Sequence, residues 1–345
     1  MKSQARWLVG LSAGVLFTCA SGAASAAFSS IYVFGDSLSD NGNFYRATGG
    51  LLMPPAYGYY GGRVSNGPVA VERMADLLIP GGSTGIHFFD YAFGGAHTGT
   101  ENSWNYGTST FPGLLDQVTQ YQTAITTLQN NYASDPALQF LLPGGVGVDP
   151  NALYVVWAGP NDFVSVTDPS QIPSVIQAAV TNLGTAIGTL ASLGAANFLV
   201  PNMVNLGLTP RIQSLGPAAV AGAAAAAGFF NQGLAGALAL IDQNPALEVY
   251  EYNVFDYVQG VVADLAAYGF QSSGSYLLTC GANPSDPLCA DPNNFLFFDD
   301  LHPTALAHQL IGKEFASAVP LPASLWLLAS ALALLRLRTN GRRRR

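Results

Sequence analysis

Five short apolar runs, rich in β-branched and aromatic residues, alternate with long helical stretches, and this alternation restricts the fold more than any other feature of the sequence. The runs are "SIYVF" (30–34), "IHFFDYAF" (86–93), "ALYVVWAG" (152–159), "ANFLVPN" (196–202) and "LEVYEYNV" (247–254). Helical patterns lie between them at about 115–131, 173–193 and 217–243. Strand and helix in turn predict a parallel sheet covered on both faces, with any functional site at the carboxyl ends of the strands. The alanine-rich stretch "AAVAGAAAAAGFF" predicts a packed helix, because Phe229, Phe230, Leu234, Leu238 and Ile241 continue it at roughly helical spacing. No internal repeat or linker interrupts residues 28–318, so one domain is expected there.

Both ends of the chain read as addresses. Lys2 and Arg6 precede the apolar stretch Trp7 to Phe17, and Ala24-Ser25-Ala26 follows, the layout of a secretory signal peptide over residues 1–26. A retained anchor is the alternative, for which the apolar run is short. Cys19 follows Thr18, a poor context for lipoprotein processing. At the other end Pro320 and Pro322 interrupt the chain, Ala323 to Leu335 is almost wholly apolar, and arginines close it. With snorkelling arginines such a segment just reaches across a bilayer, its positive end cytoplasmic. This tail, from Val319 to Arg345, resembles the PEP-CTERM sorting signals of the Val-Pro-Leu-Pro-Ala type. The resemblance implies a Gram-negative-type envelope, export, anchoring through a C-terminal membrane helix, and a sorting protease as a processing partner. A simple tail anchor is the alternative.

Charge is segregated accordingly. Between the two ends lie only five Lys and Arg, against all 21 Asp and Glu, leaving about −16 on the central region. Such a surface repels phosphate backbones and excludes nucleic acid as a partner. The acids are scattered without a metal-ligand spacing, and no metal site is expected. Cys280 and Cys289, in "CGANPSDPLC", are the cysteines of the mature region; in an exported chain they suggest a local disulfide.

The first apolar run ends abruptly: "IYVFGDSLSDNGN" passes from strand to Gly35-Asp36-Ser37. A turn is one reading; the other is a serine held at the sheet edge as a nucleophile, which needs a base within hydrogen-bond reach. Of the four histidines, His87 falls in the second strand candidate and reads as structural, His308 falls on the last helix, and His97 lies near a glycine turn. His302, in "FFDDLHPTALAH", precedes Pro303, which suits the first turn of the following helix. Asp299 and Asp300 both stand close enough to orient that imidazole, and spacing does not choose between them. A helix N-terminus fronted by acids is the structural alternative. Backbone donors for an oxyanion are offered by Gly94 and Gly95 in "AFGGAHTG", and an amide by Asn161 beside Gly159 in "WAGPNDF"; both also read as ordinary turns.

Taken together and in order, Gly35-Asp36-Ser37-Leu38, "GGRVSNG" (61–67), Gly95, Gly159-Pro160-Asn161-Asp162 and Asp299-Asp300-Leu301-His302-Pro303 resemble the GDSL lipase/esterase family, also called SGNH hydrolases. "LLDQVTQY" (114–121) and "PNMVNLGLTP" (201–210) also look like its longer members, and the likeness spans Ile31 to about Ala318. It implies a three-layer α/β/α sandwich of flavodoxin-like type. It implies Ser37 as nucleophile, His302 as base and then acid, and Asp299 as the orienting carboxylate. It also implies an oxyanion hole from the Ser37 and Gly95 N–H groups and the Asn161 amide. The family's pattern selects Gly95 over Gly94. Asp40 and Asn41 are expected to brace the nucleophile loop, Asp36 to be structural, and Asp162 to support the Asn161 loop. No G-x-S-x-G elbow is present, which disfavours an α/β-hydrolase fold.

The implied activity is hydrolysis of acyl esters, of lipids or small alcohols, through an acyl-enzyme, with neither metal nor organic cofactor. An acyltransferase or a polysaccharide O-deacetylase uses the same residues. A non-catalytic surface or matrix protein is the alternative of another class, to which the low charge and sorting tail also conform. The segment "LLMPPAYGYYGG" (51–62) reads as an acyl-groove lining or as a packed surface loop.

Overall fold

The five apolar runs form five parallel strands. The computed structural model describes residues 28–105, 108–141, 146–164, 166–271 and 291–320. The strands are β1 (Ile31–Gly35), β2 (Phe88–Asp90), β3 (Leu153–Trp157), β4 (Asn197–Pro201) and β5 (Glu248–Tyr252). They lie in the order β2-β1-β3-β4-β5, every neighbouring pair parallel. This is the flavodoxin-like doubly wound order, whose switch point falls at the carboxyl ends of β1 and β3.

Nine α-helices connect and cover these strands among the described residues. In chain order they are α1 (Asn43–Ala47), α2 (Ala70–Leu78), α3 (Leu114–Ser134), α4 (Pro136–Leu141), α5 (Ile172–Leu193), α6 (Pro210–Gln213), α7 (Pro217–Ile241), α8 (Val254–Ala263) and α9 (Ala305–Ala318). Alternate residues of each strand serve opposite faces. Ile31, Val33, Leu153, Val155 and Trp157 pack with α2, α8 and α9 in one core. Phe34, Tyr154, Val156, Phe198 and Val200 pack with α3, α5 and α7 in the other. The result is the three-layer α/β/α sandwich.

Three details differ from the sequence expectations. The second strand is three residues, not eight: His87 is exposed and precedes it, and only its backbone carbonyl contributes, accepting from Ile31 N. Phe229 does not join the core; it is 62% exposed while Phe230, Leu234 and Leu238 are buried, because adjacent helix positions point about 100° apart. Pro303 lies just before the N-cap rather than in the first turn of α9, since the side chain of Thr304 caps by accepting from Ala307 N. Of the two readings of segment 51–62, the packed surface loop is the one observed over most of it: Leu51, Tyr57 and Tyr60 are exposed, and Leu52 and Met53 pack on Phe44 and Phe93. By length and composition α7 matches a membrane span, yet here one of its faces packs on the sheet. The leader, the tail beyond Pro320 and the pair Cys280 and Cys289 lie outside the described residues.

Candidate active site

Gly35 ends β1 where the chain must turn away from β3. A Cβ there would stand 2.2 Å from the carbonyl oxygen of Trp157, so glycine alone fits. Gln117, on α3, then takes the place of a neighbouring strand: its Oε1 accepts from Gly35 N and its Nε2 donates to Gly35 O, both at 2.8 Å. The backbone is thereby held at the last residue before the turn. In that turn Ser39 N and Asp40 N donate to Asp36 O, and the Asp36 carboxylate accepts from Leu38 N. Ser37 is left at the rim of the sheet with its own N–H free of any protein acceptor among the described residues.

His302 arrives from the far end of the chain. Its Nε2 lies 2.8 Å from Ser37 Oγ across 265 positions of sequence. Its Nδ1 lies 2.9 Å from each Asp299 oxygen. This contact places the ring proton on Nδ1, donating to the carboxylate, and leaves the Nε2 lone pair for the serine hydroxyl. Asp299 Oδ1 also accepts from Leu301 N and His302 N, which locks the carboxylate against the loop that carries the ring. Asp300 goes elsewhere: Arg211 grips it bidentately at 2.8 and 3.0 Å. The two acids that spacing could not separate are thus separated by a residue 89 positions away.

Electrostatics follow from this placement. Burial opposes a charged imidazole, but the adjacent Asp299 charge and hydrogen bond outweigh it, and the His302 pKa is raised. For Asp299 burial again opposes charge, yet the imidazole and the two backbone N–H groups hold its pKa below the usual carboxylate value. Asp36 is wholly enclosed, and burial pushes it up to about 7 despite the Leu38 N–H and the nearby His302. Its Oδ2 has no hydrogen-bond partner. His308 is buried on α9, accepts from Ala70 N through Nδ1, and is pushed down to about 3 by burial; its part is structural.

Two loops face the serine. In the first, Gly95 takes φ +79, and a Cβ would strike the Trp104 ring at 2.3 Å. Its N–H has no protein acceptor among the described residues. Gly94 differs: its N–H is occupied by Asp40 Oδ2 at 2.7 Å. In the second, a single 3₁₀ turn (Pro160–Phe163) presents Asn161, whose Nδ2 donates one hydrogen to Ala96 O and retains the other. Asp162 accepts from both the N–H and the hydroxyl of Thr98, tying the two loops together. Asp40 caps α1 by accepting from Gly42, Asn43 and Phe44 N–H groups in addition to Gly94. Asn41 N donates to Asp90, at the end of β2.

The role of "GGRVSNG" is visible only in the fold. Ser65 Oγ donates to Pro303 O, and Asn66 accepts from Ala305 N, so this loop holds the histidine loop from outside. Tyr59 rests on Phe298 beside Asp299. His97 meets Ser103 at 2.9 Å within the first loop and does not reach Ser37. A cavity of about 280 Å³ in front of Ser37 is bounded by Gly95, Asn161, His302, Trp104 and Met53, the last held at φ 56. Among the described residues, no group of His, Cys, Asp and Glu side chains is arranged to hold a metal ion. The arrangement can deprotonate a serine hydroxyl, hold the resulting imidazolium, and direct three N–H donors at an oxyanion.

Residues 31–315 match the family described as GDSL-like Lipase/Acylhydrolase. The chain belongs to that family. Among family relatives, the chain is 27% identical over 332 residues to "Esterase EstA" of Pseudomonas aeruginosa, covering 89% of this chain and 49% of the relative. It is 29% identical over 212 residues to "Phosphatidylcholine-sterol acyltransferase" of Aeromonas hydrophila, covering 61% of this chain and 54% of that one. It is 25% identical over 326 residues to a "GDSL esterase/lipase" of Arabidopsis thaliana, covering 82% and 83%. The chain spans about half the length of the Pseudomonas relatives it matches. The GDSL family motif therefore sits where the fold turns Ser37 out of the sheet.

Proposed function

We propose that this GDSL-family chain is a serine esterase hydrolysing carboxylic acyl esters through an acyl-enzyme. The observation that carries the reading is the 2.8 Å approach of Ser37 Oγ to His302 Nε2, with Asp299 behind the ring. In the proposed cycle Ser37 Oγ attacks the carbonyl carbon while its proton passes to His302 Nε2. The carbonyl oxygen gains charge and is met by Ser37 N, Gly95 N and Asn161 Nδ2. Collapse breaks the ester bond, and the His302 proton leaves with the alcohol. Water then repeats the sequence, giving its proton to His302 and releasing the acid and free Ser37. The neighbouring Asp299 charge stabilises the imidazolium twice per cycle.

Substituting Ser37→Ala and assaying a short p-nitrophenyl ester tests this directly. Hydrolysis falls to background and labelling by a fluorophosphonate probe disappears, with the circular dichroism spectrum unchanged. Turnover that survives the substitution refutes the assignment.

Acyl transfer to an alcohol is a second reading, favoured by the likeness to a relative named as an acyltransferase. It uses the same acyl-enzyme and differs in what accepts the acyl group, so partition between acid and new ester in the presence of an alcohol separates the two. The leader and the tail support a further part of the proposal: the enzyme is exported to the cell envelope, and its C-terminal segment anchors it or is removed there. Cell fractionation, with the mass of the recovered protein, tests that part.

A further inference from the structure

A second cavity lies on the other side of the Ser37–His302 pair, shared with the first through Asn161, Val164, Arg211 and Leu301. Next to it lies a groove of about 850 Å³ between the N-terminal halves of α5 and α7, and the lining changes from partly polar beside Ser37 to apolar in the groove. Phe163, Val166, Leu206 and Ile212 line both, so the groove adjoins the cavity that holds Ser37. Every residue lining the groove is apolar. Its α7 wall is built from Ala218, Ala219, Gly222, Ala223 and Ala226, positions that recur on one helical face, and Phe229 stands at the same face. Ile172 and Ile176 of α5 form the facing wall. The small residues leave space where larger ones would have closed the gap between the helices. Phe229, 62% exposed, stands at the edge of that space.

We infer that this groove receives the hydrocarbon chain of a medium- to long-chain acyl ester whose carbonyl lies at Ser37. The inference rests on the serine esterase reading above. An apolar groove that adjoins the cavity holding a nucleophile fits the part of an ester that is hydrocarbon. The alcohol side must find water and the His302 proton, and the groove lining offers no polar side chain to an alcohol. The volume lies within the range of small-molecule sites and is far larger than an acetyl group needs. Each methylene that leaves water for such a lining raises kcat/KM by up to about fourfold.

Gly222 supplies the test. A Cβ added there meets nothing within 4 Å, so a larger side chain can start from this wall of the groove without a clash at its first atom. Gly236, further along α7, is equally open but does not line the groove. The full chain and its Gly222→Phe and Gly236→Phe variants are compared on p-nitrophenyl esters from acetate to palmitate. The full chain shows kcat/KM rising at least tenfold from acetate to the preferred longer chain. Gly222→Phe reduces that long-to-short ratio at least tenfold, and Gly236→Phe leaves it in place. A flat or falling series in the full chain, or an unaltered ratio in Gly222→Phe, overturns the inference. Binding of a fluorescent long-chain fatty acid to the Ser37→Ala protein reports on the groove even where no ester is turned over. Binding that Gly222→Phe abolishes supports the groove as a hydrocarbon site when the esterase reading alone has failed, and absent binding overturns it. Binding lost in Gly222→Phe with an unchanged chain-length ratio means the groove holds lipid that is not the reacting chain, which also overturns it.

Discussion

The two sides of Ser37 are built by opposite means. On the Gly95 side nearly every position is fixed by a buried polar contact: Asp40 holds four backbone N–H groups, Asp162 holds Thr98, and Asn102 donates to Gly94 O and Pro112 O. On the groove side the walls are apolar, isoleucines on α5 and small residues on α7, and among the described residues no hydrogen bond spans the gap they leave. Groups that must meet charge developing on an oxygen need fixed placement, which buried hydrogen bonds provide. A hydrocarbon chain needs only volume and an absence of polar groups. Under the proposed esterase reading the contrast makes catalysis and chain selection physically separable, so substitutions on the two sides should produce different kinetic signatures.

The largest effect is expected where the two sides meet. Asp299→Asn offers an amide to His302 Nδ1 and favours the ring tautomer whose Nε2 carries a proton, which cannot accept from Ser37. A fall in kcat of about 10³–10⁴ is expected, equal for all chain lengths. Pre-steady-state measurement of acylation on a short and a long ester checks it. A loss confined to one chain length would show that Asp299 serves the groove instead.

Next in size is Asn161→Ala, on the polar side. Loss of one oxyanion donor costs about 10²–10³ in kcat with little change in KM. If the two sides are separate, the decrease is the same for acetate and for a long-chain ester. A decrease that grows with chain length would break the comparison, since Asn161 also borders the cavity leading to the groove.

A stability pair sharpens the same contrast. Asp40→Asn keeps one accepting oxygen and turns an NH₂ toward N–H donors, leaving two of the four unsatisfied. Relief of the buried charge, whose pKa burial has raised, offsets part of this. The net cost is about 2 kcal/mol, or a Tm lower by roughly 4–8 °C. Gly222→Phe on the other side removes no side-chain contact and its Cβ meets nothing within 4 Å, so its Tm is expected to stay within about 2 °C of the parent chain. Calorimetry on both variants checks the pair.

Legibility in the sequence follows the same division. The strands, the long helices and the turn at Gly35-Asp36-Ser37 were readable because periodicity and turn chemistry are local. His302 was readable from the motifs it keeps company with. Gln117 was not, because a glutamine inside "LLDQVTQY" carries no sign that its amide will pair with Gly35 from another layer. Nor could spacing assign Asp299 over Asp300, because the decision belongs to Arg211, on a different element. The groove was hidden for a further reason: an alanine-rich run predicts close packing, and only the position of α5 shows which part of it stays open.

The smallest predicted effect concerns that Arg211 pair. In the proposed cycle His302 must be neutral to accept the Ser37 proton, so kcat/KM is expected to rise with pH through the His302 pKa, which Asp299 holds above its ordinary 6.5 against the opposing effect of burial. Asp300 contributes to the same elevation, as the imidazolium feels its negative charge. Asp300→Asn removes that charge and leaves the Arg211 cation without its partner, and both changes disfavour the imidazolium. The His302 pKa falls, and the acidic limb of the profile moves to lower pH. Because the Arg211–Asp300 pair is about half exposed, solvent screens it and the shift is small. A profile of kcat/KM on a short ester at low ionic strength measures it, and added salt shrinks the difference between parent and variant. A limb that moves to higher pH would mean that Arg211 positions the His302 loop sterically, and that the charge of Asp300 does not govern the ring.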